Sequence, residues 1–326
     1  MKIIYHCYGG AHSSVTAAGI HLGLLPTHRL PTGDELMRLP YFDKTDGNDF
    51  GLIRMMGVDE YGNEVYVLGK KGMGERFSRT LEGMAKIIGA EQELRVVNTM
   101  ACVNWIMMIG GYLSRRMGLL SIGRPLVIYG TRKAFFHLVK MVKDCQLKAR
   151  DKHFHVSLPR NKKSTDVVIL GTTTAHHSIL AARMLLNGIR NSDLVVDTCW
   201  DAWLESDGSP VFVGTDKDGN RVYTIGVGRE METGARALAC LVQMFESDCR
   251  PILITAVRIK NETWVRTAAA LSRWPGGQWL NRVVSKRIVS PQLDTIREQV
   301  ESIEKALHTA KAWDPKSEFV LFDEGT

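Results

Sequence analysis

Cysteine, histidine and serine side chains stand beside two glycines near the start of the chain, in the segment His6-Cys7-Tyr8-Gly9-Gly10-Ala11-His12-Ser13-Ser14. Apolar residues precede the segment and also follow it, over Val15–Leu25. This pattern predicts a buried strand that turns through glycines into a helix. The first amides of a helix bind anions well, and glycines let the backbone approach a ligand closely. The segment therefore predicts a phosphate-sized anion site at Gly9, Gly10, His12, Ser13 and Ser14.

One known loop that resembles the segment is the P-loop, which also follows a strand and begins a helix. Aligned on it, His12 takes the place of the lysine and Ser13 that of the magnesium-binding hydroxyl, while both glycines of the motif are missing. On this interpretation the cofactor is a nucleotide with Mg²⁺. A helix that is merely capped after a tight turn is the alternative.

The loop of cysteine phosphatases, His-Cys-x-x-Gly-x-x-Arg-Ser/Thr, is a second match. The residues that fit it are His6, Cys7, Gly10 and Ser14. Ser13 replaces the arginine that would clamp a phosphate. On this interpretation Cys7 is the nucleophile, and His6 or His12 adjusts its pKa. A cysteine that only packs at the end of a strand is the alternative. Cys7 and His12 are the candidate catalytic residues.

Cationic residues at other turns are candidates for further anion contacts. Lys70 and Lys71 lie in a glycine-rich turn, Gly69–Gly74, which leads into a predicted helix. Arg132 follows Pro125–Tyr129, which we interpret as a strand, and it could replace the missing phosphate clamp. No metal site is predicted, because His6 and Cys7 are adjacent in a strand and point to opposite sides. The six cysteines lack paired metal spacing, as expected of reduced thiols in a cytosol.

The chain contains a tandem repeat. The opening segment returns as Val167–Ser178, and Asp59–Gly69 returns as Asp216–Gly226. Leu113-Ser114-Arg115 likewise returns as Leu271-Ser272-Arg273, at nearly the same offset. In the second copy Gly171 stands in place of Cys7. The repeat therefore predicts two domains of similar fold, of which only the first keeps the candidate chemistry.

Alternating strand and helix patterns predict the α/β class, with two tandem α/β sandwich domains. Each is expected to have a mostly parallel sheet, an antiparallel hairpin at its edge, and a P-loop-like strand, turn and helix at its start. The boundaries predicted are 1–150 for the first repeat, 151–165 for a basic linker, and 166–326 for the second, degenerate repeat. Contact between the repeats within the chain is expected, and the oligomeric state is left open.

Composition is that of a globular protein, with 326 residues, 44% hydrophobic residues and 24% charged residues. The most apolar run, Met100–Leu113, is too short to span a membrane, and the start of the chain does not resemble a signal peptide. A cytoplasmic location and no membrane partner are therefore expected. The net charge of +7 favours acidic ligands slightly. Nucleic acid is not an expected partner, because the basic linker has few aromatic residues to stack on bases.

Cys7-Tyr8-Gly9-Gly10-x-His12-Ser13-Ser14, followed by Gly19–Pro26, resembles a bacterial family known as domain of unknown function 3189. The segments Pro40–Asp43 and Val65–Gly69 extend the resemblance through the first copy. The resemblance implies no established activity, and it implies a setting in spore-forming Gram-positive bacteria. Members of that family usually have a single copy, so the tandem arrangement departs from the pattern.

Three functions stay open from the sequence, and so does the question of whether a reaction is catalysed. The first is a phosphate- or nucleotide-binding protein, including a divergent phosphotransferase, whose partner is a phosphorylated small molecule or a nucleotide. The second is a phosphatase-like or other thiol enzyme that uses Cys7. The third is a non-catalytic scaffold of the sporulating cell.

Overall fold

The computed structural model describes residues 1–150, 164–172, 176–188, 208–245, 251–261, 263–264, 267, 274 and 277–310. The chain divides into two compact units, Met1–Ser157 and Leu158–Thr326. The predicted linker, 151–165, lies almost wholly outside the described residues. Both units are α/β, with helices flanking a four-stranded sheet.

Unit 1 is built on one sheet. Its strands are β1 (Lys2–Cys7), β2 (Ile53–Val58), β3 (Glu64–Gly69) and β4 (Leu94–Asn98). The order across the sheet is β2-β3-β1-β4. Strand β1 pairs in parallel with both β3 and β4, whereas β2 runs antiparallel to β3 at the edge. The predicted parallel sheet with an antiparallel edge hairpin is thus confirmed.

Among residues 1–150, five α-helices accompany this sheet: α1 (Ser13–His21), α2 (Gly33–Arg38), α3 (Phe77–Ile88), α4 (Trp105–Gly111) and α5 (Leu120–Arg150). Short 3₁₀ turns lie at Gly47–Asp49 and Thr99–Cys102, and a π turn at Tyr112–Arg116 follows α4. Every residue of α1 is buried, because the helix packs between the sheet and α5. The start of α1 therefore lies inside the unit, at the end of the central strand.

The strand predicted at Pro125–Tyr129 is wrong. The segment belongs to α5, with Pro125 near the start of that helix. A short apolar run fits a buried helix as well as a strand, and here helical packing decides. In α5, Val127 is fully buried while Tyr129 is exposed. In α3, by contrast, apolar residues recur at helical spacings of four, three and four, and all of them are buried: Phe77, Leu81, Met84 and Ile88.

Unit 2 repeats the same sheet. Its strands are β5 (Asp166–Gly171), β6 (Val211–Thr215), β7 (Arg221–Gly226) and β8 (Ile252–Ala256), in the order β6-β7-β5-β8. The described helices include α6 (His177–Asn187), α7 (Met231–Gln243), α8 (Gly277–Val289) and α9 (Leu293–Ala310). The three- and four-residue apolar repeat of α9 packs into this unit's own core through Ile296, Val300, Ile303 and Leu307.

The two edge hairpins match in detail. In unit 1 the Asp59 carboxylate accepts hydrogen bonds from the Asn63 amide (2.8 Å) and from the Asn63 side chain (2.8 Å). Asp216 and Asn220 make the same pair of contacts in unit 2, at 2.9 and 2.7 Å. Each hairpin also has a register shift in its edge strand, between Met55 and Gly57 in β2 and between Phe212 and Gly214 in β6. The repeat found in the sequence is therefore a repeat of three-dimensional structure.

Candidate functional site at the first strand-to-helix turn

The end of β1 is held against the end of β3 by backbone hydrogen bonds. The Lys70 amide donates to the Cys7 carbonyl and the Lys71 amide to the Tyr8 carbonyl, both at 2.9 Å. Gly10 then reverses the chain with φ +65°, and a Cβ on it would lie 2.6 Å from the Gly69 nitrogen. Only glycine satisfies both conditions, so the sequence forces this tight turn before α1.

The Cys7 sulfur lies at the centre of the turn. The Gly10 amide donates to Sγ at 3.2 Å, and the Ser14 hydroxyl lies 3.2 Å from the same atom. Burial raises the pKa of the Cys7 thiol, but hydrogen bonds from Ser14, Ser13 and Ala11 lower it more, so the net shift is downward. A buried thiol that is surrounded by donors is stabilised as the thiolate, which is the nucleophilic form.

Ser13 links the turn to the end of β4. Its hydroxyl lies 2.9 Å from the Thr99 hydroxyl, which in turn donates to the His6 carbonyl at 3.0 Å. The His6 ring is hydrogen-bonded to the Ser78 hydroxyl at 2.8 Å. Burial, with a smaller effect of the Lys70 charge, lowers the pKa of His6 to about 3. His6 is therefore neutral near pH 7 and brings no positive charge to Cys7.

Lys70 supplies a buried positive charge beside Cys7. Its ammonium group donates to the Gly74 carbonyl at 2.7 Å and lies 3.5 Å from the Asn98 side-chain oxygen. Both of these partners are neutral oxygens. Burial lowers the pKa of Lys70, and the charges of Cys7 and Glu75 oppose that effect. Lys70 and Cys7 thus lie close enough for their charges to interact.

His12 pairs with a carboxylate that the sequence reasoning did not single out as a site residue. Its Nε2 lies 3.2 Å from Oδ1 of Asp43. Ser114 also donates to Oδ1, and Arg124 donates to Oδ2 at 2.9 Å. Burial raises the pKa of Asp43, but these hydrogen bonds outweigh it and bring the pKa to about 2. An ionised Asp43 therefore ties the loop to the π turn and to α5.

Arg54 is a second contact that the sequence reasoning missed. Its guanidinium donates to the Gly10 carbonyl at 3.0 Å, lies 4.5 Å from the centre of the Tyr41 ring, and is 3.4 Å from Asp49. Both Tyr41 and Asp43 have positive φ, at 63° and 50°. In the sequence, Tyr41 and Asp43 could be noticed only through the segment Pro40–Asp43, which is part of the family resemblance. Arg54 lies outside that segment.

The structure brings most of the predicted site residues together at one end of the sheet. Those placed there are Cys7, Gly9, Gly10, His12, Ser13, Ser14, Lys70 and Lys71. Arg132 was assigned because it would follow a strand, and that premise is wrong. It is exposed on α5, and no hydrogen bond or ion pair among the described residues joins it to the turn. Lys70 is the cation that lies beside Cys7.

Comparison with known families assigns the chain. The family model described as "Protein of unknown function (DUF3189)" matches it twice, at residues 2–147 and 166–305. The chain belongs to the DUF3189 family. The two matches coincide with the two repeats, so the protein is a tandem DUF3189 protein. No curated protein and no solved structure matches the chain.

The second DUF3189 copy does not reproduce the thiol site. Gly171 replaces Cys7, and a Cβ on Gly171 would lie 2.5 Å from the hydroxyl of Ser178, the residue aligned with Ser14. His177 replaces Ser13, and it is fully buried with a pKa lowered to about 4 by burial. Residues 173–175 of this turn lie outside the described residues. The second copy thus keeps a strand and a helix around the turn but no thiol.

Within the described part of this DUF3189 protein, no group of three or more His, Cys, Asp or Glu residues is placed to hold a metal ion. The described helices likewise include none that is long and apolar enough to cross a membrane. In copy two an aspartate, Asp197, follows the apolar run Leu194-Val195-Val196. It lies outside the described residues.

Proposed function

We propose that the first DUF3189 copy is a cysteine-dependent enzyme that acts on a phosphorylated small molecule, with Cys7 as the nucleophile. The observation that carries the proposal is the convergence of the Gly10 amide and the Ser14 hydroxyl on the Cys7 sulfur. The cysteine-phosphatase pattern has a hydroxyl residue at the position of Ser14, and that hydroxyl is bonded to the sulfur here. The net downward shift of the Cys7 pKa supports the same role.

The proposed reaction has two steps. In the first, the Cys7 thiolate forms a sulfur–phosphorus bond while the ester oxygen–phosphorus bond breaks, and the leaving oxygen takes a proton from His12. The carboxylate of Asp43, 3.2 Å from Nε2 of His12, holds the imidazole ring in place for that transfer. In the second step, water attacks the phosphorus atom bonded to the Cys7 sulfur, and His12 takes a proton from that water. Inorganic phosphate and the thiolate are released.

Ser13 stands where the cysteine phosphatases have an arginine, so another cation must balance the substrate charge. We assign this role to Lys70, because its ammonium group is buried beside Cys7 and bonded to neutral oxygens. Arg54 already donates to the Gly10 carbonyl and pairs with Asp49, so we assign it to holding the loop. A lysine is a point charge and makes no bidentate clamp, which favours small and dianionic substrates.

The test is hydrolysis of an aryl phosphate by the full chain and by Cys7→Ser. Hydrolysis that disappears in Cys7→Ser and persists in Cys102→Ser supports the proposal. The control is apt because burial raises the pKa of Cys102, so that thiol is a poor nucleophile. Intact-protein mass spectrometry after an acid quench should also show a phosphorylated wild-type chain. Equal activity in Cys7→Ser would contradict the proposal.

The buried ammonium of Lys70 also supports a second candidate, which is phosphate or nucleotide binding without catalysis. On that reading Cys7→Ser leaves affinity unchanged while Lys70→Met removes it. Isothermal calorimetry with inorganic phosphate, and with ATP and Mg²⁺, distinguishes the two candidates. The scaffold function and its setting in sporulating cells stay predictions from the sequence.

A further inference from the structure

A long stretch of unit 1 contains no acidic residue. Between Glu93 and Asp144, over residues 94–143, the chain has eight Lys and Arg residues and no Asp or Glu. The whole chain has 42 basic and 35 acidic residues, so this stretch accounts for its entire positive excess. The stretch includes β4, α4, the π turn and most of α5. Its position marks one part of unit 1 as strongly cationic.

The same stretch exposes large apolar side chains in a regular arrangement. On α4 and the residue after it, Trp105, Met108, Ile109 and Tyr112 are exposed at spacings of three, one and three, which is one face of a helix. Trp105 is 69% exposed and Met108 is 62% exposed. On α5, a second apolar row recurs every seven residues, again on one face, and consists of Ile122, Tyr129 and Phe136. Scattered exposed apolar residues are ordinary, but two such rows are not.

The cations lie among these apolar side chains. Arg132, Lys133 and Lys140 are exposed on α5 in the same turns as Tyr129 and Phe136. A cleft of about 310 Å³ joins the two helices, with Trp105 from α4 and Lys133 and His137 from α5 in its lining. Between the helices and beyond them, Met117, Leu119 and Leu120 are also exposed. We call the exposed residues of α4, of α5 and of the segment between them the basic apolar face.

Unit 2 carries an equivalent stretch in its own copy. Residues 263–293 contain five Lys and Arg residues and no acidic residue. Three tryptophans in this stretch are exposed by about two thirds or more, namely Trp264 (67%), Trp274 (72%) and Trp279 (69%). This stretch follows β8, the strand of unit 2 that corresponds to β4. The acid-free stretch of unit 1 begins with β4 and continues after it. Although the thiol is lost in copy two, the combination of tryptophan, aliphatic and cationic residues is kept.

We propose that the basic apolar face of unit 1 docks on the surface of an anionic lipid bilayer. Charge complementarity identifies the partner, because the exposed cations Arg132, Lys133 and Lys140, in a stretch without acidic residues, are attracted to anionic headgroups. Trp and Tyr have a preference for the headgroup level, and aliphatic side chains insert below it. The aromatic side chains of this face could also stack on bases, but the exposed Met, Leu and Ile side chains among them could not, which favours a bilayer over single-stranded nucleic acid. The proposal departs from the expectation of no membrane partner, which rested on the absence of a spanning segment.

The test is co-sedimentation of the full chain with vesicles. One preparation contains equal parts phosphatidylglycerol and phosphatidylcholine, and the other contains phosphatidylcholine alone. Binding to the first and not to the second, weakening as salt rises, is expected. Each cation near the surface changes the affinity about fivefold, so the loss of two in Arg132→Glu with Lys133→Glu should weaken binding by at least about 25-fold. Trp105→Ala with Met108→Ala should weaken it as well, through lost insertion.

A matched control reverses two exposed cations outside the acid-free stretches, Arg38→Glu with Lys86→Glu. It has the same net charge as the first variant and should bind vesicles like the wild type. If both charge variants lost vesicle binding alike, the proposal that this particular face binds the bilayer would be overturned. Equal binding of the wild type to the two vesicle preparations would also overturn it. Thermal unfolding of each variant checks that the substitutions, all of exposed residues, leave the fold intact.

Two further measurements distinguish a bilayer from the other partners that such a face could bind. The same variants are titrated against a fluorescent single-stranded oligonucleotide, and their mass in solution is measured by sedimentation. An oligonucleotide affinity that Arg132→Glu with Lys133→Glu removes, without any vesicle binding, would overturn the proposal in favour of nucleic acid. A dimer that Trp105→Ala with Met108→Ala dissociates, again without vesicle binding, would overturn it in favour of a second copy of the chain.

Discussion

Replacing Ser14 by alanine tests how the turn activates the thiol. The Ser14 hydroxyl lies 3.2 Å from the Cys7 sulfur, and the sulfur is buried, so water does not replace the lost donor. A hydrogen bond to a charged group contributes about 1.5–3 kcal/mol. Since one pKa unit corresponds to about 1.4 kcal/mol, Ser14→Ala should raise the Cys7 pKa by about 1–2 units.

The assay is the rate of Cys7 alkylation by iodoacetamide as a function of pH, followed by mass spectrometry of the Cys7 peptide. At a pH below the Cys7 pKa of both the wild type and Ser14→Ala, the thiolate fraction of the variant is about 10- to 100-fold smaller than that of the wild type. A thiolate of higher pKa is intrinsically more reactive, with a Brønsted slope of about 0.4–0.5. The observed rate at such a pH should therefore fall by about 3- to 10-fold, and the midpoint of the profile should move upward.

Ser78→Ala is the matched control for this experiment. It removes a hydroxyl of the same size from the same region, but that hydroxyl is bonded to the His6 ring and not to Cys7. Its alkylation profile should coincide with that of the wild type. If Ser14→Ala left the midpoint unchanged, or if both variants moved it equally, the reasoning that the loop donors stabilise the thiolate would be refuted.

Two further predictions concern stability. Because the folded pKa of His6 is about 3 and the unfolded value is about 6.5, the unfolded state binds the proton first as pH falls. Stability should therefore drop by about 1.4 kcal/mol for each pH unit between about 6.5 and 3, and urea titrations should show a smaller slope in His6→Asn. Gly10→Ala should destabilise the protein by more than about 2 kcal/mol, because it adds a collision with Gly69 to the strain of positive φ. Gly23→Ala has a similar φ and open space, so thermal unfolding should show a smaller loss, and equal losses would exclude the collision.

The architecture was predictable because it depends on local patterns. Buried strands such as Val167–Leu170 are continuous apolar runs, and the hairpin turn at Asp59–Asn63 follows from its Asp, Gly and Asn residues. The repeat also helped the prediction, because each strand and helix had to agree with the sequences of both copies. The prediction for Pro125–Tyr129 was wrong because five apolar residues contain no periodicity that separates a strand from a helix. Only the packing of α5 along unit 1 decides it.

The candidate site was predictable as a position but not as a network. Strand, glycines and helix start define where Cys7 and His12 lie, and the structure places them there. Asp43 and Arg54 could not be deduced, because each reaches the loop from more than 30 residues away in the chain. The Tyr5–His21–Asp59 chain of hydrogen bonds, at 2.7 and 3.0 Å, was missed for the same reason. Contacts of this kind depend on tertiary packing and produce no recognisable spacing of residues in the sequence.

Comparison of the two copies separates what the fold needs from what the chemistry needs. Both keep the strand order, the hairpin turn and an acid-free stretch with exposed tryptophan, so none of these depends on the thiol. Restoring a cysteine at Gly171 would not restore the site, since its Cβ would collide with Ser178, and Val227 stands where Lys70 supplies charge. The second copy therefore differs from the first in a connected group of residues and not in one. Such a division is expected if copy one performs the reaction and the acid-free stretch serves membrane docking.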